Sequence, residues 1–139
     1  EAYPDNEAAW EKLAMAYANL GQALECLHAA EKLLEVAPDN VNGLFYRGFA
    51  RLNLGQADQA LSDFRRATEV NSDYGTAWYY MALIQSQRQD YAQATKNALT
   101  AIEKMPKLRP AYELAIQLLE AQGDRQRADQ VRALLARIQ

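Results

Sequence analysis

The chain has 139 residues, half of them hydrophobic, and a formal net charge of -3 at pH 7. That is the size of one domain with a sizeable core, and the charge excludes a strongly basic nucleic-acid footprint over the whole chain. No apolar run approaches the roughly 18–20 residues of a helical membrane span, and a single cysteine excludes an intrachain disulfide. The charge is uneven: residues 1–40 hold 8 acidic and 2 basic side chains, residues 41–139 hold 10 and 13. Such asymmetry can orient a charged partner or simply keep a surface soluble.

In chain order, the first segment is Glu1-Ala2-Tyr3-Pro4-Asp5-Asn6. It aligns with Glu35-Val36-Ala37-Pro38-Asp39-Asn40, which closes one unit and leads into the next. Residues 1–6 are therefore expected to be the tail of a preceding, truncated repeat or helix. From residue 7 a step of 34 residues governs the chain. Trp10, Leu44, Trp78 and Tyr112 form a ladder of large residues, and Cys26, Ala60, Ala94 and Ala128 form one of small residues. Gly21, Gly55 and Gly123 keep the same register, interrupted by Gln89, while Pro4, Pro38 and Pro106 do so with Ser72 as the interruption. A fixed period of this size means one supersecondary unit used repeatedly.

The second unit shows the pattern best. Val41 to Leu54 carries apolar residues at helical spacing, at Leu44, Phe45, Phe49 and Leu52. Gly55 follows, where a helix stops in a left-handed turn. Asp58 is expected to cap a second helix whose inward stripe is Ala60, Leu61, Phe64, Ala67 and Thr68. Asn71-Ser72-Asp73 then breaks the pattern. Each unit is thus two antiparallel helices joined by a tight turn. Small residues on the second helix, and Ala14, Gly48 and Ala82 on the first, let the two approach closely. Pro38 and Pro106 stop the second helices of their units. In the fourth unit Ile116 replaces the small residue, and a helix is expected over Gln126 to Ile138. Its stripe is Ala128, Val131, Leu135 and Ile138, opposite a polar face of Arg127, Gln130 and Arg137, as the end of an array requires. Leu134 beside the stripe leaves room for further packing.

These residues resemble the tetratricopeptide repeat family. The family's large, small and proline positions are held by Trp10, Leu13, Ala14, Tyr17, Cys26, Ala30, Leu33 and Pro38 in the first unit. Leu44, Gly48, Ala60, Phe64 and Ala67 hold them in the second, Trp78, Met81, Ala82, Ala94, Ala98, Ala101 and Pro106 in the third, and Tyr112, Ala115, Ala128 and Leu135 in the fourth. The resemblance spans residues 7–139. It implies an all-α, right-handed superhelical solenoid of four helix-turn-helix repeats, 7–40, 41–74, 75–108 and 109–139. Arg47 and Arg51 depart from the pattern, where Leu and Tyr are usual, and Gln85 departs in the third unit. A buried unpaired arginine is costly, so Asp63 on the facing helix is the expected partner of Arg47.

The resemblance also implies a groove lined by the first helices that holds an extended peptide or a helix. The positions that match are Glu11, Met15, Ala18 and Asn19 in the first unit, and Asn42, Phe45, Phe49, Leu52 and Asn53 in the second. Thr76, Tyr79, Leu83, Ser86 and Gln87 follow in the third, and Glu113, Gln117 and Glu120 in the fourth. Met15, Phe45, Phe49, Tyr79 and Leu83 give an apolar, aromatic centre. Asn19, Asn42 and Asn53 surround it with amides that can both donate and accept. Aromatic anchors within a polar rim are the usual make-up of binding hot spots, but the same side chains can also pack between units, and both readings stand at this level. Glu11 and Met15 occupy places where family members that grip chaperone C-termini carry lysine and asparagine, so that activity is not expected.

Chemistry is not expected. His28 is alone on a second helix, and Cys26, at a small-residue core position, reads as an inert buried thiol. No phosphate-binding glycine loop, nucleotide fingerprint, metal-ligand set or cofactor motif is present. Glu113 and Glu120 lie two turns apart and read as a solvated face rather than an acid/base pair. The expected role is a non-enzymatic adaptor or scaffold that binds a protein or peptide with apolar or aromatic anchors. Two alternatives remain: a regulatory or substrate-docking part of a larger enzyme, and a self-assembly unit joined through the first unit or Leu134. Neither nucleic-acid binding nor membrane insertion is expected.

Overall fold

The structure is a computed structural model and describes residues 6–138; the expected tail over residues 1–6 lies outside that range except for Asn6. Eight α-helices and no strands occur among the described residues: α1 (Glu7–Asn19), α2 (Ala23–Val36), α3 (Val41–Asn53), α4 (Ala57–Val70), α5 (Gly75–Gln87), α6 (Tyr91–Lys104), α7 (Arg109–Ala121) and α8 (Arg125–Leu135). Helix starts at 7, 41, 75 and 109, and at 23, 57, 91 and 125, keep the 34-residue step seen in the sequence. The last helix ends at Leu135, short of the expected Ile138. None of the described helices is long and apolar enough to cross a membrane. The chain divides into two compact units, Glu1–Asn71 and Ser72–Gln139.

The turn inside each pair is built the same way four times. The amide of Gln22 donates to the Tyr17 carbonyl (2.9 Å), and Gln56 to Arg51 (2.8 Å), Asp90 to Gln85 (2.9 Å) and Asp124 to Leu119 (2.8 Å) repeat that bond. These are the wide bonds of a Schellman motif, which needs a left-handed residue just past the helix. Gly21, Gly55 and Gly123 supply it with φ of 72°, 79° and 78°. In the third pair Gln89 takes the same conformation at φ 62°. The second helix then starts without the expected cap: the N-cap of α4 is Gln56, with no side-chain bond, and Asp58 sits inside its first turn. There its negative charge faces the positive end of the helix dipole. Asn6, Asn40 and Asp124 do cap their helices, accepting from the amides of Ala9, Gly43 and Arg127.

In the first unit α2 packs against both α1 and α3, α1 lies beside α3, and α4 covers α3. The small ladder sets the spacing: Cys26 and Ala60 are fully buried, as are Ala94 and Ala128 in the second unit. A Cβ at Gly48 would come within 2.9 Å of the Phe64 ring, so glycine is what lets that buried phenylalanine lie on α3. In the second unit α6 packs against α5 and α7, and α8 closes on α7. Its core joins Ala82, Ala98, Tyr112, Ala115, Leu118, Leu119 and Val131, with Leu83, Ile116 and Ile138 packed at the edge. The large ladder does more than fill space. Trp78 Nε1 donates to the Ser72 carbonyl (2.9 Å), and the Tyr112 hydroxyl donates to the Pro106 carbonyl (2.6 Å). Each aromatic thereby ties its helix to the turn six residues upstream, and its polar tip is satisfied.

The departures from the pattern are also resolved by pairing. Asp63 is buried and accepts from Arg47 Nη2 (2.9 Å), from Arg47 Nε at 3.2 Å to each oxygen, and from Arg51 Nη1 (2.9 Å). The expected Arg47–Asp63 pair forms, and Arg51 shares the same carboxylate. One step later Gln85 and Asn97 are both buried, and Asn97 Nδ2 donates to Gln85 Oε1 at 2.7 Å.

Candidate functional site

The groove positions read from the sequence fall on the first helices of both units. In the first unit the faces of α1 and α3 are joined by carboxylates and amides. Asn40, while capping α3, donates through Nδ2 to Glu7 Oε2 (2.6 Å) and Glu11 Oε1 (3.3 Å). Asn42 Nδ2 donates to Glu11 Oε2 (2.7 Å). Glu11 is thus held by two amides, and the Asn42 donor is directed at Glu11 rather than outward. Beside this network is a cleft of about 430 Å³ lined by Ala8, Glu11, Lys12, Met15, Asn42 and Tyr46. Met15 is 45% exposed, an apolar side chain turned to solvent at the cleft. Burial first, then the charge of Glu11, pushes the Tyr46 hydroxyl above its ordinary pKa, so it stays protonated as a neutral donor.

The aromatic centre divides into core and surface. Phe45 is 8% exposed. It stacks on Phe49 with ring centroids 6.0 Å apart, lies tilted against Phe64 at 5.7 Å, and meets Tyr46 edge-on at 5.4 Å. Phe45 is therefore a packing residue in this structure, and the half-buried Phe49 carries the aromatic surface. Asn19 and Asn53, at the last turns of α1 and α3, are exposed. In the second unit Tyr79 is half-buried and packs edge-on against Tyr80 (5.3 Å). Its hydroxyl pKa is raised by burial first, then by Tyr80 and Glu113. Leu83 is half-buried on the core of that unit. Glu113 and Gln117 are exposed on α7, whereas Glu120 pairs with Arg132 of α8.

The residues weighed for chemistry are otherwise engaged. The Cys26 thiol is buried, donates to the Tyr46 carbonyl (Sγ to O, 3.6 Å) and is pushed up to about 11 by burial, so at neutral pH it is a thiol rather than a thiolate. His28 is exposed and lies edge-on to Trp10 at 6.3 Å. Among the described residues no three or more His, Cys, Asp or Glu side chains are grouped to hold a metal.

Family models described as tetratricopeptide repeat match residues 7–40 and residues 29–62. Together these matches mark residues 7–62 as tetratricopeptide repeat. The first match coincides with the α1–α2 pair, and the second runs from within α2 through α3 into α4, so two overlapping registers of the same repeat are recognised. Among solved structures, a crystal structure of MamA aligns over 97% of this chain and 79% of its own, at 20% identity and a TM-score of 0.85. The first repeat domain of Spaghetti (RPAP3), bound to the HSP90 peptide SRMEEVD, aligns over 84% of this chain and 95% of its own, at 20% identity and a TM-score of 0.78. The TPR2B-domain–pHsp70 complex of yeast Sti1 aligns over 83% and 97%, at 18% identity and a TM-score of 0.75. At these identities the likeness is one of fold.

Sequence reasoning missed two parts of this face. Tyr46 was left out, although it sits one residue from Phe45 and lines the cleft. Glu7 was left out as well; it shares the Asn40 amide with Glu11, and its spacing one turn before Glu11 was the available signal.

Proposed function

We propose that this tetratricopeptide-repeat chain is a non-enzymatic protein-interaction module whose first-helix faces take a peptide segment or amphipathic helix with apolar or aromatic anchors. The observation that carries the reading is the α1–α3 cleft, where exposed Met15 lies beside neutral Tyr46 under a ridge of Glu11 and Asn42. An apolar side chain inserted there removes Met15 from water, and the polar ridge offers hydrogen bonds to its backbone. Phe49, Asn19 and Asn53 extend this surface in the first unit, and Tyr79 and Leu83 present a second apolar surface on α5. The RPAP3 and Sti1 relatives in fold are complexed with an HSP90 peptide and pHsp70, which supports peptide binding in general. The peptide SRMEEVD is acidic, however, and this cleft is lined by one acidic and one basic side chain, Glu11 and Lys12. Without a surplus of basic charge it offers an acidic peptide little electrostatic attraction, so the apolar anchor carries the recognition here.

The test is selection from a random peptide library, followed by titration calorimetry against the natural chain and a Met15→Ala, Phe49→Ala double variant whose helicity is checked by circular dichroism. Apolar-anchored peptides that bind the natural chain and lose about tenfold or more on the variant, a loss of about 1.4 kcal/mol, are the expected result. Peptides that bind both equally would remove the first-unit face from the proposal. SRMEEVD is the comparator and is expected not to bind.

A further inference from the structure

Two leucines break the repeat at solvent-facing positions, one near each end of the array. Leu24 holds the place taken by Asp58, Ala92 and Gln126 in the later pairs, all exposed. Leu134 holds the place taken by Lys32, Arg66 and Thr100 in the earlier ones. A position that the repeat turns toward water gives leucine no gain from burial, so packing within the fold does not explain either residue. Leu24 also has company. Leu20 lies across the Gly21 turn, and each of the two is 68% exposed, more than any other large hydrophobic side chain among the described residues. Together they form an apolar knob on the α1–α2 turn with Glu25 next to it.

Leu134 is 45% exposed and lines a cleft of about 450 Å³ with Pro106, Tyr112 and Ile138. Lys107 and Arg137 complete its walls, giving an apolar floor with a basic rim. The surrounding charge follows the same division. The unit Glu1–Asn71 has eleven acidic and six basic residues, a net of -5, and Ser72–Gln139 has seven and nine, a net of +2. We propose that a second copy of this chain covers both patches: the Leu20–Leu24 knob of one copy enters the Tyr112–Leu134 cleft of another, and Glu25 faces Lys107 and Arg137. The chain itself carries both an apolar knob on an acidic unit and an apolar cleft on a basic one, which favours a second copy over a foreign partner. The two patches differ, so the contact is heterologous. A single contact leaves a knob free on one copy and a cleft free on the other, which either pair with each other to close the assembly or accept further copies. None of these residues belongs to the peptide-binding surface proposed above, so the two readings stand or fall separately.

The experiment is sedimentation of the natural chain from micromolar to millimolar concentration, beside a Leu20→Asp, Leu24→Asp variant and a Leu134→Asp variant. The natural chain is expected to shift to larger species as concentration rises, and to shift less at high salt because the rim charges are screened. Each variant alone is expected to stay a monomer. Mixed one to one, they are expected to form a dimer and nothing larger, because only one intact knob and one intact cleft remain. If Leu134→Asp loses its helicity, Lys107→Glu on the exposed rim replaces it as the cleft variant. A monomeric natural chain, variants that still associate alone, or a mixture that stays monomeric would each overturn the proposal.

Discussion

The second and third helix pairs, α3–α4 and α5–α6, occupy the same three repeat positions with different chemistry. In α3–α4 these positions hold Arg47, Arg51 and Asp63, two guanidiniums on one buried carboxylate. In α5–α6 they hold Met81, Gln85 and Asn97, a methionine and a neutral amide pair. The flanking pairs use Leu13, Tyr17 and Ala29 on one side and Ala115, Leu119 and Val131 on the other. The same backbone thus accepts an apolar, a charged or an amide filling. They differ in what happens when one member is lost. Charges taken from water are tolerated only as a complete set, whereas a neutral amide pair leaves a single unmatched polar group when broken.

Asp63→Ala breaks the comparison most severely. It strands Arg47 and Arg51, whose side chains are only 27% and 21% exposed, and is expected to cost about 3 kcal/mol, the low end for a broken buried ion pair. Asp58→Ala, on the exposed face of α4, removes a solvent-exposed charge from the first turn of that helix and is expected to cost about 1 kcal/mol or less. Urea unfolding of both variants tests this, and equal midpoints would mean that the ion-pair set contributes nothing. Asn97→Ala comes next, with an expected loss of about 1–3 kcal/mol, because Gln85 keeps a buried oxygen without its donor. Replacing both at once, Gln85→Met with Asn97→Leu, is expected to recover most of that loss; a double variant no better than the single would show that packing rather than the hydrogen bond governs the site. The smallest effect is at the turns. Gln89→Gly should stabilise the protein by about 1 kcal/mol, because it relieves a left-handed residue that bears a side chain, while Gly55→Gln should destabilise it by a similar amount. Thermal melts of the two variants moving in the same direction would contradict this.

Much of the fold was legible because it rests on spacing. A 34-residue step with glycine past the first helix and a small residue early in the second leaves a helical hairpin as the consistent reading, and the small ladder is buried at every rung. The Arg47–Asp63 pair was legible too, because a charge at a core position demands an opposite charge within reach. Gln85 and Asn97 stand one repeat later at the positions of Arg51 and Asp63, so the same arithmetic would have found them. The cap at α4 was misplaced because aspartate is favourable both at a cap and in the first turn, and only the backbone path distinguishes the two.

The candidate site was less legible, since helical spacing assigns a residue to a face but does not say which neighbour has already claimed it. Phe45 and Phe49 share a face of α3, yet Phe64 fits against the first and leaves the second half-open. Asn42 was read as an outward amide, but it donates its hydrogen bond to Glu11 on the neighbouring helix. Period, turn chemistry and residue size, which act between near neighbours in the chain, determined from sequence alone that this protein is a set of helical hairpins. Which aromatic is core and which amide is engaged depended on side chains 19 and 31 residues apart meeting across helices, and only the tertiary structure decided them.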